Sequence, residues 1–175
     1  MQIQKKLLIA LAILTLFVAV TGILGILYTT SINEKLKVVT SKTNPTVETV
    51  DDLIITIWKG AKTTEEFSSA RSAEELSVLE KKFESSRFNF VKIKEIAYNL
   101  ISEPALREKL DDAVEKHTLF MEKAYDVLYL SQETIRGRTP DAAEQLSVLT
   151  RDAASYADEA ANILEEVSLR VYATN

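Results

Sequence analysis

The stretch 104–136, PALREKLDDAVEKHTLFMEKAYDVLYLSQETIR, shows the pattern that governs most of this chain. Apolar or weakly polar residues recur every three or four positions: Leu106, Leu110, Ala113, His117, Phe120, Ala124 and Val127. This spacing places them on one face of an α-helix. Pro104 is well suited to the first helical turn, because its missing N–H has no intrahelical partner there. The stretch therefore predicts one long amphipathic helix.

Three more stretches carry the same period, and breaks at 71–72, 103–104 and 137–140 separate them. The second has the stripe Leu76, Leu79, Phe83, Ser86, Phe90, Ile93, Ala97 and Leu100, and the fourth has Leu146, Leu149, Ala153, Tyr156, Ala160, Ile163 and Val167. Ser72 and Glu75 form a capping-box pattern before the second stretch. We expect helices at about 30–70, 73–102, 104–136 and 140–173.

Glycine and proline are scarce after residue 28, where only Gly60, Gly137, Pro45, Pro104 and Pro140 occur. A β-rich domain of this size would need many more turn residues. The sequence thus predicts an all-α fold. Four helices with short connections favour an elongated, antiparallel up-down-up-down four-helix bundle, whose seams have the 3.5-residue period of a coiled coil.

Ahead of the helices, residues 7–28 are all uncharged and nearly all apolar, and they directly follow Lys5 and Lys6. About 20 such residues suffice to cross a bilayer as a helix. A cleaved signal peptide is the competing interpretation, but its apolar core would be shorter. The lysines favour a cytoplasmic N-terminus at 1–6, a single-pass transmembrane signal anchor at 7–28 and an extracytoplasmic domain at 29–175. In a bacterium, this means the inner membrane and the periplasm.

Charge and composition exclude several functions. The chain has 21 basic and 26 acidic residues, and all but Lys5 and Lys6 lie beyond the apolar segment, so the outer domain carries about −7. An acidic surface argues against nucleic-acid binding. There is no cysteine, and the single histidine, His117, lies within an apolar stripe, where a core role is favoured over metal ligation. We expect no enzyme activity, no catalytic residues, no cofactor and no metal.

A ligand site is expected near the turns at 71–72 and 137–140, which the antiparallel bundle would place at its distal end, away from the membrane. Cations lie there beside aromatic rings, a combination that suits a small carboxylate. The candidate residues are Trp58, Lys62, Arg71, Tyr125, Tyr129, Arg136 and Arg151, with Thr150 and Arg138 nearby. The alternatives are that the arginines only complement a helix C-terminus, that Lys62 pairs with Glu66 four residues on, and that Trp58 packs in the core or a dimer interface.

The chain resembles the sensor region of bacterial methyl-accepting chemotaxis proteins of the four-helix-bundle type. The matching features are the start at residues 1–10, the glycine-containing segment to Tyr28, the exit Ser31-Ile-Asn-Glu-Lys-Leu36, the Asn44-Pro45 step and the four long helices. The similarity is one of pattern and covers nearly the whole chain. It implies a ligand-sensing region for chemotaxis and transmembrane signalling.

The resemblance also implies a homodimer whose ligand is a small carboxylate, an amino acid or a periplasmic binding protein. In such receptors a second span and signalling modules follow, whereas this sequence stops at Asn175. We therefore expect either part of a longer receptor or a stand-alone anchored bundle. The alternatives are the sensor region of a membrane histidine kinase and a membrane-anchored structural or interaction bundle without a small-molecule ligand.

Overall fold

A computed structural model describes residues 44–137 and 142–173, and nearly all of them lie in four α-helices. The helices are α1 (Asn44–Ser69), α2 (Ala73–Leu100), α3 (Pro104–Ile135) and α4 (Ala143–Ala173). No strand occurs in these two ranges. The all-α class is confirmed for this part of the chain. The predicted anchor at 7–28, the N-terminus at 1–6 and the predicted helical residues 30–43 lie outside the described residues.

The helix boundaries follow local capping. Ser72 precedes α2 in an extended conformation, and its hydroxyl accepts the Glu75 N–H at 3.1 Å. The Glu75 carboxylate accepts the backbone N–H of Arg71 at 2.9 Å. The predicted capping box is therefore present with its second bond shifted by one residue. Both bonds satisfy backbone donors at a helix start that have no intrahelical acceptor.

The turn between α2 and α3 is held by one arginine side chain. Arg107, in the first turn of α3, donates from Nε to the carbonyl of Ile101 at 2.8 Å and from Nη2 to that of Tyr98 at 2.9 Å. These carbonyls belong to the last turn of α2 and the residue after it, where acceptors lack helical donors. The α2 helix consequently ends at Leu100, two residues before the predicted boundary.

The four helices contribute to one hydrophobic core. All seven residues of the predicted α3 stripe are buried, including His117. The aromatic centre of the core is formed by Phe67, Phe83 and Phe120, with ring centroids 5.5 Å apart for Phe67–Phe83 and 6.2 Å for Phe83–Phe120. Their edge-to-face geometry is favourable for aromatic rings. Burial of these large side chains dominates the apolar contribution to folding.

The spacing between helices varies with side-chain size. Among helices that follow one another in the sequence, backbone approach is most extensive between α3 and α4 and slightest between α2 and α3. The α4 helix buries a series of small residues, Ala153, Ala157, Ala160, Ala161 and Ser168. Small side chains allow backbones to come close, whereas rings keep them apart. The aromatic residues Phe83 and Phe90 of α2 thus occupy the wider side of the core.

Two glycines have identifiable roles. A Cβ at Gly60 would lie 3.3 Å from Phe120 Cε1, so the glycine permits the close approach of this ring to α1. Gly137 ends α3 with φ of +71°, a left-handed conformation in which a side chain is strained. The N–H of Gly137 donates to the carbonyl of Thr134 at 2.9 Å and closes the last turn.

Within residues 44–137 and 142–173, no helix is both long and apolar enough to cross a membrane.

Candidate ligand-binding site

An open groove runs between the outer faces of α1 and α2 and has a volume of about 680 Å³. Lys59 and Lys62 line it from α1, and Lys81 and Lys82 line it from α2. Its remaining lining is Thr63, Glu66, Val78, Ser85, Ser86 and Asn89. The groove therefore presents four ammonium groups, one carboxylate and several neutral hydrogen-bonding side chains. We call this region the lysine groove.

The four lysines have no acidic partner among the described residues. Within the described residues, none of them makes an ion pair or a hydrogen bond from its side chain. By contrast, Lys109 pairs with Glu166, Lys116 with Glu159 at 2.6 Å and Lys123 with Asp126 at 3.6 Å. The one acid in the lysine groove, Glu66, is not within ion-pair distance of any of them. The prediction of an ion pair between Lys62 and Glu66 is therefore wrong.

Local sequence explains how each helix presents its two lysines. Lys59 and Lys62 are three residues apart and so share the exposed face of α1. Thr63, which lines the groove between them and α2, is buried and donates its hydroxyl to the Lys59 carbonyl at 2.9 Å. On α2, Lys81 and Lys82 precede the buried Phe83, whose ring anchors that turn in the core. Packing of α2 on α1 then brings the two pairs to one groove.

Of the seven predicted ligand residues, only Lys62 lines the lysine groove. Trp58 lies one turn earlier on α1 and is 45% exposed, so it is not part of the described core. That Trp58 packs in a dimer interface or contacts a ligand stays a prediction. Arg71 is exposed at the α1–α2 turn, where its backbone N–H caps α2 through Glu75.

Tyr125 and Tyr129 lie on α3 in different environments. The Tyr125 hydroxyl donates to the Glu84 carboxylate, and its ring packs edge-on against Phe83 at 5.5 Å. The pKa of Tyr125 is raised to about 12, mainly by burial and next by this hydrogen bond to Glu84. The same bond is the main cause that lowers the pKa of Glu84. Tyr129 is 65% exposed and makes no such contact with another described residue.

The two predicted arginines line different cavities. Arg136 pairs with Glu133 at 2.9 Å and borders a cavity of about 230 Å³ between α2 and α3. Arg151 lines a groove of about 620 Å³ together with Glu65 and Ser68 of α1. Thr150 also lines that groove, and its buried hydroxyl has no hydrogen-bond partner among the residues that the structure describes. Arg138 lies outside the described residues.

Three of the seven candidates, Lys62, Arg136 and Arg151, therefore line three different inter-helix surfaces, and the seven do not form one pocket in the described chain. Sequence reasoning missed Lys59, Lys81 and Lys82. In the sequence, Lys59 lies one helical turn before Lys62, and Lys81 is adjacent to Lys82. Nothing in the sequence relates the first pair to the second. Only the pairing of α1 with α2 brings them together.

His117 is the one titratable side chain in the aromatic core among the described residues. It is 7% exposed and stacks on Phe90, with ring centroids 3.5 Å apart and planes 11° apart. Burial, and second the charge of Lys94, lowers the pKa of His117 to about 3, so the imidazole is neutral at pH 7. The core role expected for His117 is confirmed.

Within the described residues, no group of three or more His, Cys, Asp or Glu side chains is arranged to hold a metal ion. Comparison of the chain with protein-family models, curated proteins and solved structures finds no match. The lysine groove is thus the most distinctive candidate site that the described chain offers.

Proposed function

We propose that this chain is the ligand-sensing extracytoplasmic region of a membrane signal transducer of the chemoreceptor type. The observation that carries the proposal is the lysine groove, which is built jointly by α1 and α2 and contains four lysines without an ion-pair partner in the part of the chain that the structure describes. A ligand in this groove contacts two helices at once. Its binding energy therefore depends on how those helices are placed, which is the requirement for converting binding into a helix movement.

The proposed architecture is an antiparallel up-down-up-down four-helix bundle. Contacts between successive helices support it. Along α3, Lys109 and then Lys116 pair with Glu166 and then Glu159 of α4, so residue numbers rise on one helix as they fall on the other.

The α2–α3 contacts follow the same order, since Glu84 bonds Tyr125 and Tyr98 bonds Asp111. Short turns between long helices agree with this arrangement.

The proposed signalling element is α1, because it directly follows, in the sequence, the segment that leads from the apolar residues 7–28. Without ligand, the four lysines repel one another across the groove. A bound anion reduces that repulsion and favours a packing in which α1 and α2 are closer. The shift between the two packings can be no larger than the ligand's difference in affinity for them.

Placement in the inner membrane with the helices in the periplasm is proposed from the apolar segment 7–28 and the basic pair Lys5-Lys6. A homodimer is proposed from the resemblance to chemoreceptors. The exposed Trp58 and Ile55 of α1 agree with a partner surface on that helix. Output would pass to signalling modules linked to this region.

Thermal unfolding of the full chain in nanodiscs tests direct sensing. The panel contains amino acids, monocarboxylates, dicarboxylates and aromatic acids at matched ionic strength. A compound that binds only the native state raises the melting temperature in a saturable way. Stabilisation by one chemical class supports a sensor. A flat result across the panel would overturn direct sensing and favour a protein ligand or an interaction bundle.

The coding sequence beyond codon 175 tests the type of output. A second apolar span followed by long heptad helices supports the chemoreceptor proposal. A span followed by a kinase module would assign the same region to a histidine kinase, and a stop codon would favour an anchored structural or interaction bundle.

A further inference from the structure

The charge of the lysine groove is opposite to that of the protein as a whole. The chain has a net charge of −5, yet this groove has four lysines facing one glutamate. Elsewhere, acidic side chains neutralise Lys109, Lys116 and Lys123. Like charges held together without counterions destabilise the folded state unless an external anion offsets them. The lack of an acidic partner for these lysines within the described ranges is therefore the feature to explain.

We propose that the lysine groove is a binding site for a small polyanion, a molecule with two or more carboxylate or phosphate groups. This inference rests on the proposed sensory function and specifies its ligand. A monoanion would leave most of the local positive charge uncompensated. A ligand with two or three negative charges matches the surplus of lysines over Glu66 and can contact both helices together.

The kind of cation indicates selection by charge more than by shape. Lysine ammonium groups are compact point charges on flexible stems, and they lack the planar fork with which arginine recognises one carboxylate in a fixed orientation. Carboxylate and phosphate groups both satisfy them. The neutral side chains of Ser85 and Asn89 add hydrogen-bonding capacity at the α2 wall. The experiment must consequently distinguish the two anionic groups.

Groove size and surroundings favour a small molecule over an extended polymer. A volume of about 680 Å³ is within the usual range for small-molecule sites, roughly 300–1,000 Å³. Acidic residues adjoin the lysines: Glu66 lines the groove itself, and Glu66 and Glu75 line a neighbouring groove between the same two helices together with Lys82. These carboxylates would repel a nucleic acid or an anionic surface that extended beyond the lysines.

The two pairs of lysines give the site a specific test. Lys62→Gln removes a charge from the α1 wall and Lys81→Gln removes one from the α2 wall, and both side chains are exposed, so neither change disturbs the core. Lys123→Gln is the matched control, since it removes the same charge from a partly exposed i,i+3 pair with Asp126 outside the groove. All three variants are made in the full chain.

Each protein is reconstituted in zwitterionic nanodiscs and titrated calorimetrically with citrate, succinate, pyrophosphate and acetate, with sodium chloride matching the ionic strength. We expect saturable binding that strengthens with the charge of the anion and is weakest for acetate. Each groove variant should weaken polyanion binding about tenfold, as loss of a charge-assisted contact does. The Lys123→Gln protein should bind as the unmodified chain does.

The outcomes separate this inference from the proposed function. Citrate and succinate binding without pyrophosphate binding assigns carboxylates, and the reverse assigns phosphates. Equal affinity in the unmodified chain and all three variants would overturn the inference, because binding would then be nonspecific. Stabilisation by an amino acid or monocarboxylate without polyanion binding would overturn the polyanion site and leave sensing intact. No binding of any compound, including the earlier panel, would overturn both.

Discussion

The α3–α4 side of the described helices and the α1–α2 side use different means of association. Between α3 and α4 the backbones approach closely, α4 buries alanines, and lysines on α3 pair with glutamates on α4. Between α1 and α2 the core is filled by phenylalanines, and the outer surface contains four lysines that pair with no acidic side chain of residues 44–137 and 142–173.

This difference suggests a division of roles. Close packing of small residues resists displacement, since a packed interior has little space to rearrange. A surface that carries uncompensated charge is instead sensitive to any anion that binds. Under the proposed function, the α3–α4 side would maintain the fold and the α1–α2 side would respond to the ligand.

The largest expected effect is a loss of stability on changing the phenylalanine-filled core between α1 and α2. Phe83→Ala removes a fully buried ring that contacts Phe67, Phe120 and Tyr125, and we expect a loss of about 3–5 kcal/mol in the free energy of unfolding. Phe88→Ala on the same helix is the control, because Phe88 is 58% exposed. That change should stay within about 0.5 kcal/mol. Urea unfolding measures both, and comparable losses would contradict the assignment of Phe83 to the core.

A second change tests close packing on the opposite side. Ala160→Leu adds three carbon atoms at a fully buried position of α4, and overpacking should destabilise the protein by about 1–3 kcal/mol. Ala143→Leu is the control, because it adds the same atoms at an exposed position in the first turn of the same helix. If both variants unfold at the same urea concentration, the close α4 interface proposed from its alanines is incorrect.

The third prediction concerns acid. Because the pKa of His117 is lowered to about 3 in the folded chain, the unfolded chain binds more protons between pH 3 and 6.5. The stabilisation by neutral His117 is therefore present above pH 6.5 and is lost as the pH falls, by at most about 1.4 kcal/mol per pH unit. His117→Leu should remove this contribution to the pH slope.

Urea unfolding at pH 7, 6 and 5 measures the effect on that slope. Phe90 and Phe120 contact the imidazole, and Lys94 is the charged group that affects its titration, so the effect does not require an acidic partner. Carboxylates with lowered pKa values, such as Glu84, remain in the variant and provide the background slope. An unchanged slope in His117→Leu would show that the histidine titrates normally.

The smallest expected effect is a pair of melting-temperature changes of opposite sign in two lysine variants. Without a bound anion, Lys62→Gln should raise the melting temperature slightly, because it relieves repulsion among the groove lysines. Lys116→Gln should lower it slightly, because Lys116 pairs with Glu159. Both differences should shrink in high salt, as exposed electrostatic interactions do. A lower melting temperature for both variants would indicate that Lys62 has an acidic partner in solution.

The predicted stripes matched the structure to different degrees. Every residue of the α3 stripe is buried, whereas in α4 Leu149, Tyr156 and Ile163 are only partly buried. Ala157, Ala161 and Leu164 are buried in α4 although they were not in its stripe. The reason is that α4 packs against both α1 and α3 and so buries a wider face than one seam requires.

The candidate site was less predictable than the fold. Distance from the turns placed Lys62, Tyr125 and Arg151 at similar levels, but it contained no information about which side of each helix faces which neighbour. In the structure these three line different inter-helix surfaces. Exposed charged residues show no periodicity that would reveal which neighbouring helix they face, because water solvates them on any outer face of a helix.

For the described residues, the number of helices, their approximate limits and their buried faces follow from the chain itself, because caps, breaks and the 3.6-residue period act over a few neighbouring residues. Ser72, Pro104 and Gly137 act in this local way.

The grouping of Lys59 and Lys62 with Lys81 and Lys82, and the pairing of Lys109 with Glu166, depend instead on the packing of whole helices. Such contacts join residues far apart in sequence, and the side-chain volumes in the core decide which of them form.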